Sequence, residues 1–197
     1  MEYTSNKKPT AHLRLQAYRD LAPLDKDNSY IAQVKDYSGD EMSMTDLVND
    51  LIGRNDVISV TTITKYAYNN AGISVGLSLF ANALNKKYID FKVITSEGDK
   101  QKSYAKKYYN ELLNNKNLKV NIKKADDIKD IHDRYFLLEK SNGRIWYKMS
   151  GEIDALQFKN VDFADVDENT QGEIKEMTVY TVEENGIPNK VKTIMGV

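Results

Sequence analysis

Cysteine is absent from this chain of 197 residues, and histidine occurs only twice, as His12 and His132. Without cysteine the chain can form no disulfide, no thiolate metal site and no cysteine nucleophile. Two histidines cannot build a histidine-rich metal centre within one chain. We therefore expect neither a metal nor another cofactor, and the lack of disulfides fits a reducing compartment such as the cytoplasm.

Long apolar segments are also missing. No run approaches the roughly 20 residues that a membrane-spanning helix needs, and the polar start at Met1–Lys8 has no apolar core of a signal peptide. Hydrophobic residues make up 41% and charged residues 29%, which is typical of a globular protein. The length predicts a single domain over residues 1–197, with a loose N-terminus at 1–10.

The net charge of −1 conceals two segments of opposite sign. The segment 100–124 contains eight lysines and one acidic residue, Glu111, whereas 160–184 contains eight acidic residues and one basic residue, Lys175. The first segment is a candidate for binding a polyanion such as nucleic acid, and the second is a candidate surface for a protein partner. That both are ordinary solvated faces is an equally good interpretation of the pattern.

The centre of the chain alternates between strand and helix patterns. Ser43 or Thr45 can cap a short helix that Gly53 ends. Strands rich in β-branched or apolar residues are predicted at 57–64, 91–95 and 118–122, and amphipathic helices are predicted between them, the second over 99–113. This βαβαβ order predicts a parallel sheet with right-handed crossovers.

The flanking segments have the shorter period of antiparallel strands. Before the centre, strands are predicted at 12–18 and 30–34. After it, 134–139 and 145–148 form a predicted hairpin joined by Lys140-Ser141-Asn142-Gly143, in which Asn-Gly is a turn signal, and 177–182 and 190–194 form a second one around Glu184-Asn185-Gly186. The predicted fold class is α/β: a mixed sheet with flanking helices and a C-terminal β-hairpin within an acidic segment at 160–197.

The segment Asp130–Glu139 contains the residues that suggest a chemistry. His132 and Arg134 are two positions apart, so on a strand both face the same side and can meet one phosphate. Glu139 follows after four residues, which gives the pattern H-x-R-x4-E. This resembles the H-x-K-x4-D motif of the phospholipase D superfamily, and the resemblance extends over roughly 57–156, with Trp146 on the next strand where some branches carry a tryptophan.

The resemblance implies a mechanism and an assembly. The histidine would attack phosphorus and form a phosphohistidine, the basic residue would neutralise the phosphate, and the acid would orient the histidine. A second histidine would protonate the leaving group. His12-Leu13-Arg14 lacks the acid of a second motif, since Arg19 stands there, so His132 of a second copy is expected to serve in a homodimer. The implied activity is a metal-independent phosphodiesterase, on nucleic acid rather than lipid, because the sequence offers no apolar interfacial helix.

Three departures from the motif support an alternative. Arg134 replaces lysine, Glu139 replaces aspartate, and Met149-Ser150-Gly151-Glu152 stands for the family's Gly-Ser-x-Asn, which leaves Ser150 as the candidate phosphate contact. An inactive module of the same fold, binding nucleic acid or a protein, is the alternative function. His132 would then be a half-buried structural histidine paired with Asp133 or Glu139.

Further substrate contacts are predicted on two segments. Ligands gather beyond the carboxyl ends of parallel strands, so Tyr66 and Asn69, which follow the strand at 57–64, are candidates to stack on a base and to hydrogen-bond a phosphate or sugar. A polar loop with anchoring tyrosines explains the same residues. On the predicted helix 99–113, the candidates for attracting a phosphate backbone are Lys102, Lys106 and Lys107.

Overall fold

The computed structural model describes residues 34–53, 56–65, 67–69, 72–73, 75–96, 118–123, 125–150, 156–162 and 165–197. The strand predicted at 12–18, most of that at 30–34, and the helix predicted at 99–113 lie outside these ranges. Within them, no helix is long and apolar enough to cross a bilayer.

The described residues form twelve strands and four α-helices. The strands are β1 (Val34–Asp36), β2 (Glu41–Met42), β3 (Val57–Thr64), β4 (Tyr68–Asn69), β5 (Gly72–Ile73), β6 (Asp90–Ser96), β7 (Leu118–Lys123), β8 (Arg134–Lys140), β9 (Gly143–Met149), β10 (Leu156–Gln157), β11 (Gly172–Ile174) and β12 (Thr178–Val182). The helices are α1 (Met44–Ile52), α2 (Val75–Lys86), α3 (Ala125–Ile128) and α4 (Asn189–Met195), and a 3-10 turn spans Glu184–Gly186.

Seven of these strands form one mixed sheet, in the order β1-β12-β9-β8-β3-β6-β7. The neighbours β3, β6 and β7 are parallel, and the other pairs are antiparallel. The remaining strands form the small sheet β10-β11-β2 and the pair β4-β5. The predicted fold class, an α/β arrangement with a mixed sheet and flanking helices, is confirmed, as is the parallel pairing of the three central strands.

The local signals at α1 and at the β8–β9 hairpin are also confirmed. Ser43 is the N-cap of α1: its side chain accepts a hydrogen bond from the Asp46 amide, while the Asp46 carboxylate accepts one from the Ser43 amide. Helix α1 ends at Gly53, as predicted. Strands β8 and β9 pair from Arg134–Met149 to Lys140–Gly143, so the two-residue turn is Ser141-Asn142, at the centre of the predicted connection.

Each face of the seven-stranded sheet is covered by its own apolar cluster. On one face α1 and α2 pack on Val60, Phe91 and Phe136, and the ring centre of Phe80 lies 5.3 Å and 5.8 Å from those of Phe91 and Phe136. On the other face lie Ile63, Ile94, Tyr135, Leu137 and Trp146, beneath Ile187 and the α4 residues Val191 and Met195. Residues of β8 alternate between the two clusters, as a strand buried on both sides must.

The C-terminal β-hairpin was a wrong prediction. Thr178–Val182 is a strand, β12, but it pairs with β9 and β1, and the segment predicted as its partner is the helix α4. Val191 and Met195 are four residues apart, so a helix places both on one face, where they are buried against the sheet. Gly196 ends α4 in the left-handed conformation with φ 82°.

Candidate functional site

The direction of β8 decides where the motif residues lie. Because β8 runs antiparallel to β3, with Tyr135 opposite Ile63, the start of β8 meets the carboxyl end of β3. His132 and Arg134 therefore lie at the edge of the sheet where β3, β6 and β7 end. We call this the carboxyl edge. It is the edge at which ligands bind in open α/β sheets.

His132 at this edge is exposed. Its carbonyl oxygen accepts a hydrogen bond from Nη1 of Arg134, but among the described residues no group hydrogen-bonds or ion-pairs with its imidazole. The interpretation of His132 as a half-buried structural histidine, paired with Asp133 or Glu139, is therefore wrong. An exposed imidazole is a group that can meet a ligand.

The segment that precedes β8 is anchored, although His132 is exposed. Lys65, directly after β3, donates a hydrogen bond to the carbonyl of Lys129. Nζ of Lys190 on α4 lies 3.2 Å from Oδ2 of Asp130, and this contact lowers the pKa of the Asp130 carboxyl. Ile131 is buried in the cluster beneath α4. The backbone on both sides of His132 is thus attached to the sheet and to α4.

Asp133 supplies a further anchor, on the side of His132 nearer β8. Nζ of Lys148 on β9 lies 2.6 Å from Oδ2 of Asp133, and the Tyr135 hydroxyl donates a 3.2 Å hydrogen bond to the same oxygen. Burial by itself would lower the pKa of Lys148, but hydrogen bonds to Asp133 and Tyr180 raise it overall. Burial and the nearby Asp133 charge raise the pKa of Tyr135.

Arg134 and Ser150 lie at the same edge. Arg134 is the first residue of β8 and is paired with Met149, so Ser150 lies just beyond that pair. The Ser150 amide donates to the carbonyl of Thr178 at 2.9 Å, and the Ser150 hydroxyl oxygen accepts from the Thr178 amide at 2.9 Å. Met149 is buried in the cluster beneath α1 and α2, so alternation along β9 directs Ser150 to the face opposite to that of Arg134, the strand partner of Met149. The predicted residues His132, Arg134 and Ser150 thus lie at the same edge of the sheet, but Ser150 is directed away from Arg134.

Glu139 lies elsewhere. Five residues of β8 at about 3.3 Å each separate it from Arg134, a distance on the order of 15 Å, and His132 precedes that strand. Its carboxylate accepts a 2.7 Å hydrogen bond from Ser59 on β3 and lies 3.8 Å from Nε of Arg144. Glu139 therefore joins β8 to its neighbours at the opposite end, and the direct orienting contact with His132 that the resemblance implied is not made.

Of the other predicted substrate contacts, only Asn69 lies within the described residues. Asn69 is in β4, in the segment that follows β3, whereas Tyr66, Lys102, Lys106 and Lys107 lie outside the described residues. In the described part of the chain, no group of three or more histidine, aspartate or glutamate residues is arranged to hold a metal ion. Some of the acidic C-terminal segment is neutralised locally: buried Glu168 pairs with Lys86, and Glu173 pairs with Lys159.

Three residues of the site were missed from the sequence: Lys65, Lys148 and Lys190. One of them had a detectable signal. A two-residue turn at Ser141-Asn142 fixes the register of β8 and β9, which places Lys148 opposite Tyr135 and diagonal to Asp133. The contacts of Lys65 and Lys190 join segments distant in sequence, and no local pattern predicts them.

Comparisons with known proteins give structural likenesses at low sequence identity. No family model and no curated protein sequence matches the chain. Among solved structures, a polyphosphate kinase from Porphyromonas gingivalis is similar with a TM-score of 0.46 and 10% identity, over 99% of this chain and 30% of that protein. TrmBL2, an archaeal chromatin protein, is similar with a TM-score of 0.39 and 8% identity, over 94% of this chain and 58% of that one. The chain thus spans less than two thirds of either protein, and neither likeness transfers an activity or a ligand to it.

Proposed function

We propose that this chain is a phospholipase D-like phosphodiesterase that cleaves nucleic acid through a phosphohistidine at His132 and works as a homodimer. The observation that carries the proposal is the exposed, unpartnered imidazole of His132, on an anchored segment beside Arg134 at the carboxyl edge. A structural histidine needs burial or a partner, and His132 has neither among the described residues.

In the first step, an imidazole nitrogen of His132 attacks phosphorus and the bond from phosphorus to the leaving oxygen breaks. The leaving oxygen takes a proton from a second acid. In the second step, water attacks the phosphohistidine, gives a proton back to that acid, and releases the second product. Arg134 binds the non-bridging oxygens, whose negative charge it offsets through its planar fork of donors.

The second acid is the reason for a dimer. The only other histidine, His12, lies outside the described residues and in a segment without the rest of the motif. A two-fold dimer that opposes the two carboxyl edges would bring the second copy's histidine to the leaving oxygen.

The alternative is a module that binds nucleic acid or a protein without cleaving it. It is favoured by the position of Glu139, which holds strands together at the far end of β8, so that within the described ranges no carboxylate pairs with His132. A nucleophilic histidine is ordinarily oriented by such a partner. The two functions share the ligand site and differ in the bond-breaking step.

A cleavage assay separates them. Wild type, His132→Asn and Arg134→Ala would be incubated with end-labelled single- and double-stranded DNA and RNA, with bis(p-nitrophenyl) phosphate, and with phosphatidylcholine vesicles. We expect His132→Asn to lower cleavage by at least about a hundredfold without weakening binding. Arg134→Ala should weaken both by about ten- to a hundredfold, since it removes a charge-assisted contact.

Matched variants control for unspecific damage. His12→Asn removes the other histidine, and Arg144→Ala removes an arginine from the opposite end of the β8–β9 hairpin; both should keep wild-type activity. Acid-labile, covalently labelled protein should accumulate with wild type and be absent with His132→Asn. Cleavage that survives His132→Asn would refute the proposed nucleophile. If the wild type binds DNA or RNA but cleaves none of the substrates, the binding module is the function that remains. Cleavage of the vesicle lipid alone would refute the nucleic acid substrate.

A further inference from the structure

Asp133 lies between the two residues proposed to meet the phosphate, yet its own side chain is directed elsewhere. Ile131 and Tyr135, two positions before and after it, are buried in the cluster beneath α4. Asp133 itself contacts Tyr135 and Lys148. Residues 131, 133 and 135 therefore share one face. Arg134, the first residue of β8, alternates with Tyr135 and is directed to the other face, and His132, which precedes the strand, is exposed.

The partner of Asp133 is held firmly. The Lys148 side chain is only 27% exposed, and its Nζ lies 5.8 Å from the centre of the Tyr180 ring on β12. Tyr180 and Tyr135 are the strand partners of Lys148 on either side, so its side chain runs between two aromatic rings. Water screens this pair less than a fully exposed one, and the lysine has little freedom to adopt another position.

We infer that Asp133 and Lys148 form a positioning pair that fixes the rotation of residues 132–134 and so aims His132 and Arg134 at one phosphate. The inference rests on the proposed function, which it deepens by naming residues that act through His132. Neither Asp133 nor Lys148 contacts the substrate. Release of Asp133 would let the segment rotate, and a reacting atom displaced by about 1 Å can lower the rate up to a hundredfold.

The first test reads the position of His132 without any substrate. Two histidines give two sets of imidazole proton signals in NMR, and His12→Asn assigns them. In Lys148→Met, which keeps the side-chain volume but removes the charge, we expect the His132 signals to shift and broaden while the His12 signals stay in place. The contact of Lys148 is with Asp133, next to His132 in the chain, so we attribute such a change to the release of Asp133. Lys148→Arg should restore the wild-type signals.

The matched control is Lys119→Met. Lys119 forms an ion pair of nearly the same length, 2.7 Å, with Asp90, at the opposite end of the sheet. Lys119→Met should leave the His132 signals unchanged. Tyr135→Phe removes only the second donor to Asp133 and should move the His132 signals in the same direction by a smaller amount. It thus tests the inference even if Lys148→Met does not fold.

The second test is kinetic. If wild type cleaves a phosphodiester, Lys148→Met should lower kcat about tenfold or more with KM changed less than about twofold, and Lys148→Arg should recover most of the loss. Unchanged His132 signals in Lys148→Met and Tyr135→Phe would overturn the inference even if the enzyme is active. If the wild type is inactive but the His132 signals do move in the two variants, the proposed function is refuted and the positioning pair still stands.

Discussion

Ile63 on β3 and Tyr135 on β8 are paired in antiparallel register, and this pair joins the parallel and antiparallel halves of the large sheet. Because the two strands run in opposite directions, the carboxyl end of β3 meets the start of β8. Lys65 then lies beside Lys129, and His132 lies at the same edge. A reversed β8 would place His132 at the amino ends of the parallel strands, with Glu139 at the carboxyl edge in its place.

Replacement of Lys102, Lys106 and Lys107 by alanine should weaken nucleic acid binding and flatten its dependence on salt. Each lysine that neutralises a phosphate contributes about 0.7 to 0.9 to the slope of log K against log salt concentration, so the slope should fall by about 2 to 3. Fluorescence anisotropy at several salt concentrations measures it. A control variant carries alanine at Lys159, Lys175 and Lys192 and should keep the wild-type slope. An unchanged slope in the first variant would show that these lysines do not contact nucleic acid and only form a solvated face of the predicted helix.

Any phosphodiesterase activity should persist in the presence of a chelator. The proposed nucleophile is a side chain, so no metal-bound hydroxide is needed. Cleavage by wild type would be measured with and without EDTA, after dialysis to remove weakly bound ions. A strict need for a divalent ion, restored by Mg²⁺ or Mn²⁺, would contradict the phosphohistidine mechanism.

Ser43→Ala should destabilise the protein at neutral pH by about 1 kcal/mol, the usual contribution of an N-cap. Hydrogen bonds from the Ser43 amide and hydroxyl lower the pKa of Asp46. A carboxyl whose pKa is lowered by folding contributes stability above its unfolded pKa, near 4, and this contribution is lost as the pH falls through the folded value. The difference in the free energy of unfolding between wild type and Ser43→Ala should therefore become smaller below about pH 4. Urea unfolding at several pH values measures it.

The control for this prediction is Ser38→Ala. The Ser38 hydroxyl makes only a 3.5 Å contact with the carbonyl of Lys175 and caps no helix. Removal of this hydroxyl should lower the free energy of unfolding only slightly, and the decrease should not change with pH. A Ser43→Ala difference that stayed constant down to about pH 2 would contradict the coupling between the cap and Asp46.

Tyr37 should make the protein sensitive to alkali. Burial, and then its hydrogen bond to Asp50, raise the pKa of Tyr37 above the ordinary value of 10.0. A phenol whose pKa is raised by folding contributes stability that is complete below its unfolded pKa and is lost as the pH rises toward the folded value. Tyr37→Phe should thus reduce the loss of stability between about pH 9 and about pH 11. Thermal melts measure it, with the 89%-exposed Tyr88 replaced by phenylalanine as the control.

Local structure was predictable where short-range chemistry decides it. The β-branched run at Val57–Thr64 could bury both faces only as a central strand, and Ser43 followed three residues later by Asp46 is a capping pattern. The error at residues 190–194 has a physical reason. Val191 between Lys190 and Lys192 fits an alternating pattern, whereas Val191, Ile194 and Met195 have helical spacing. The burial of Val191 and Met195 against the sheet decided between the two.

The sequence by itself predicted that His132 and Arg134 lie close together, because only two positions separate them. Only the tertiary structure decided what surrounds them. Glu139 lies at the far end of β8, on the order of 15 Å from Arg134, because an extended chain separates its ends, whereas Lys65, Lys148 and Lys190 reach the segment from β3, β9 and α4. Sheet order and register create these contacts, and they depend on the packing of distant segments rather than on any pattern within one of them.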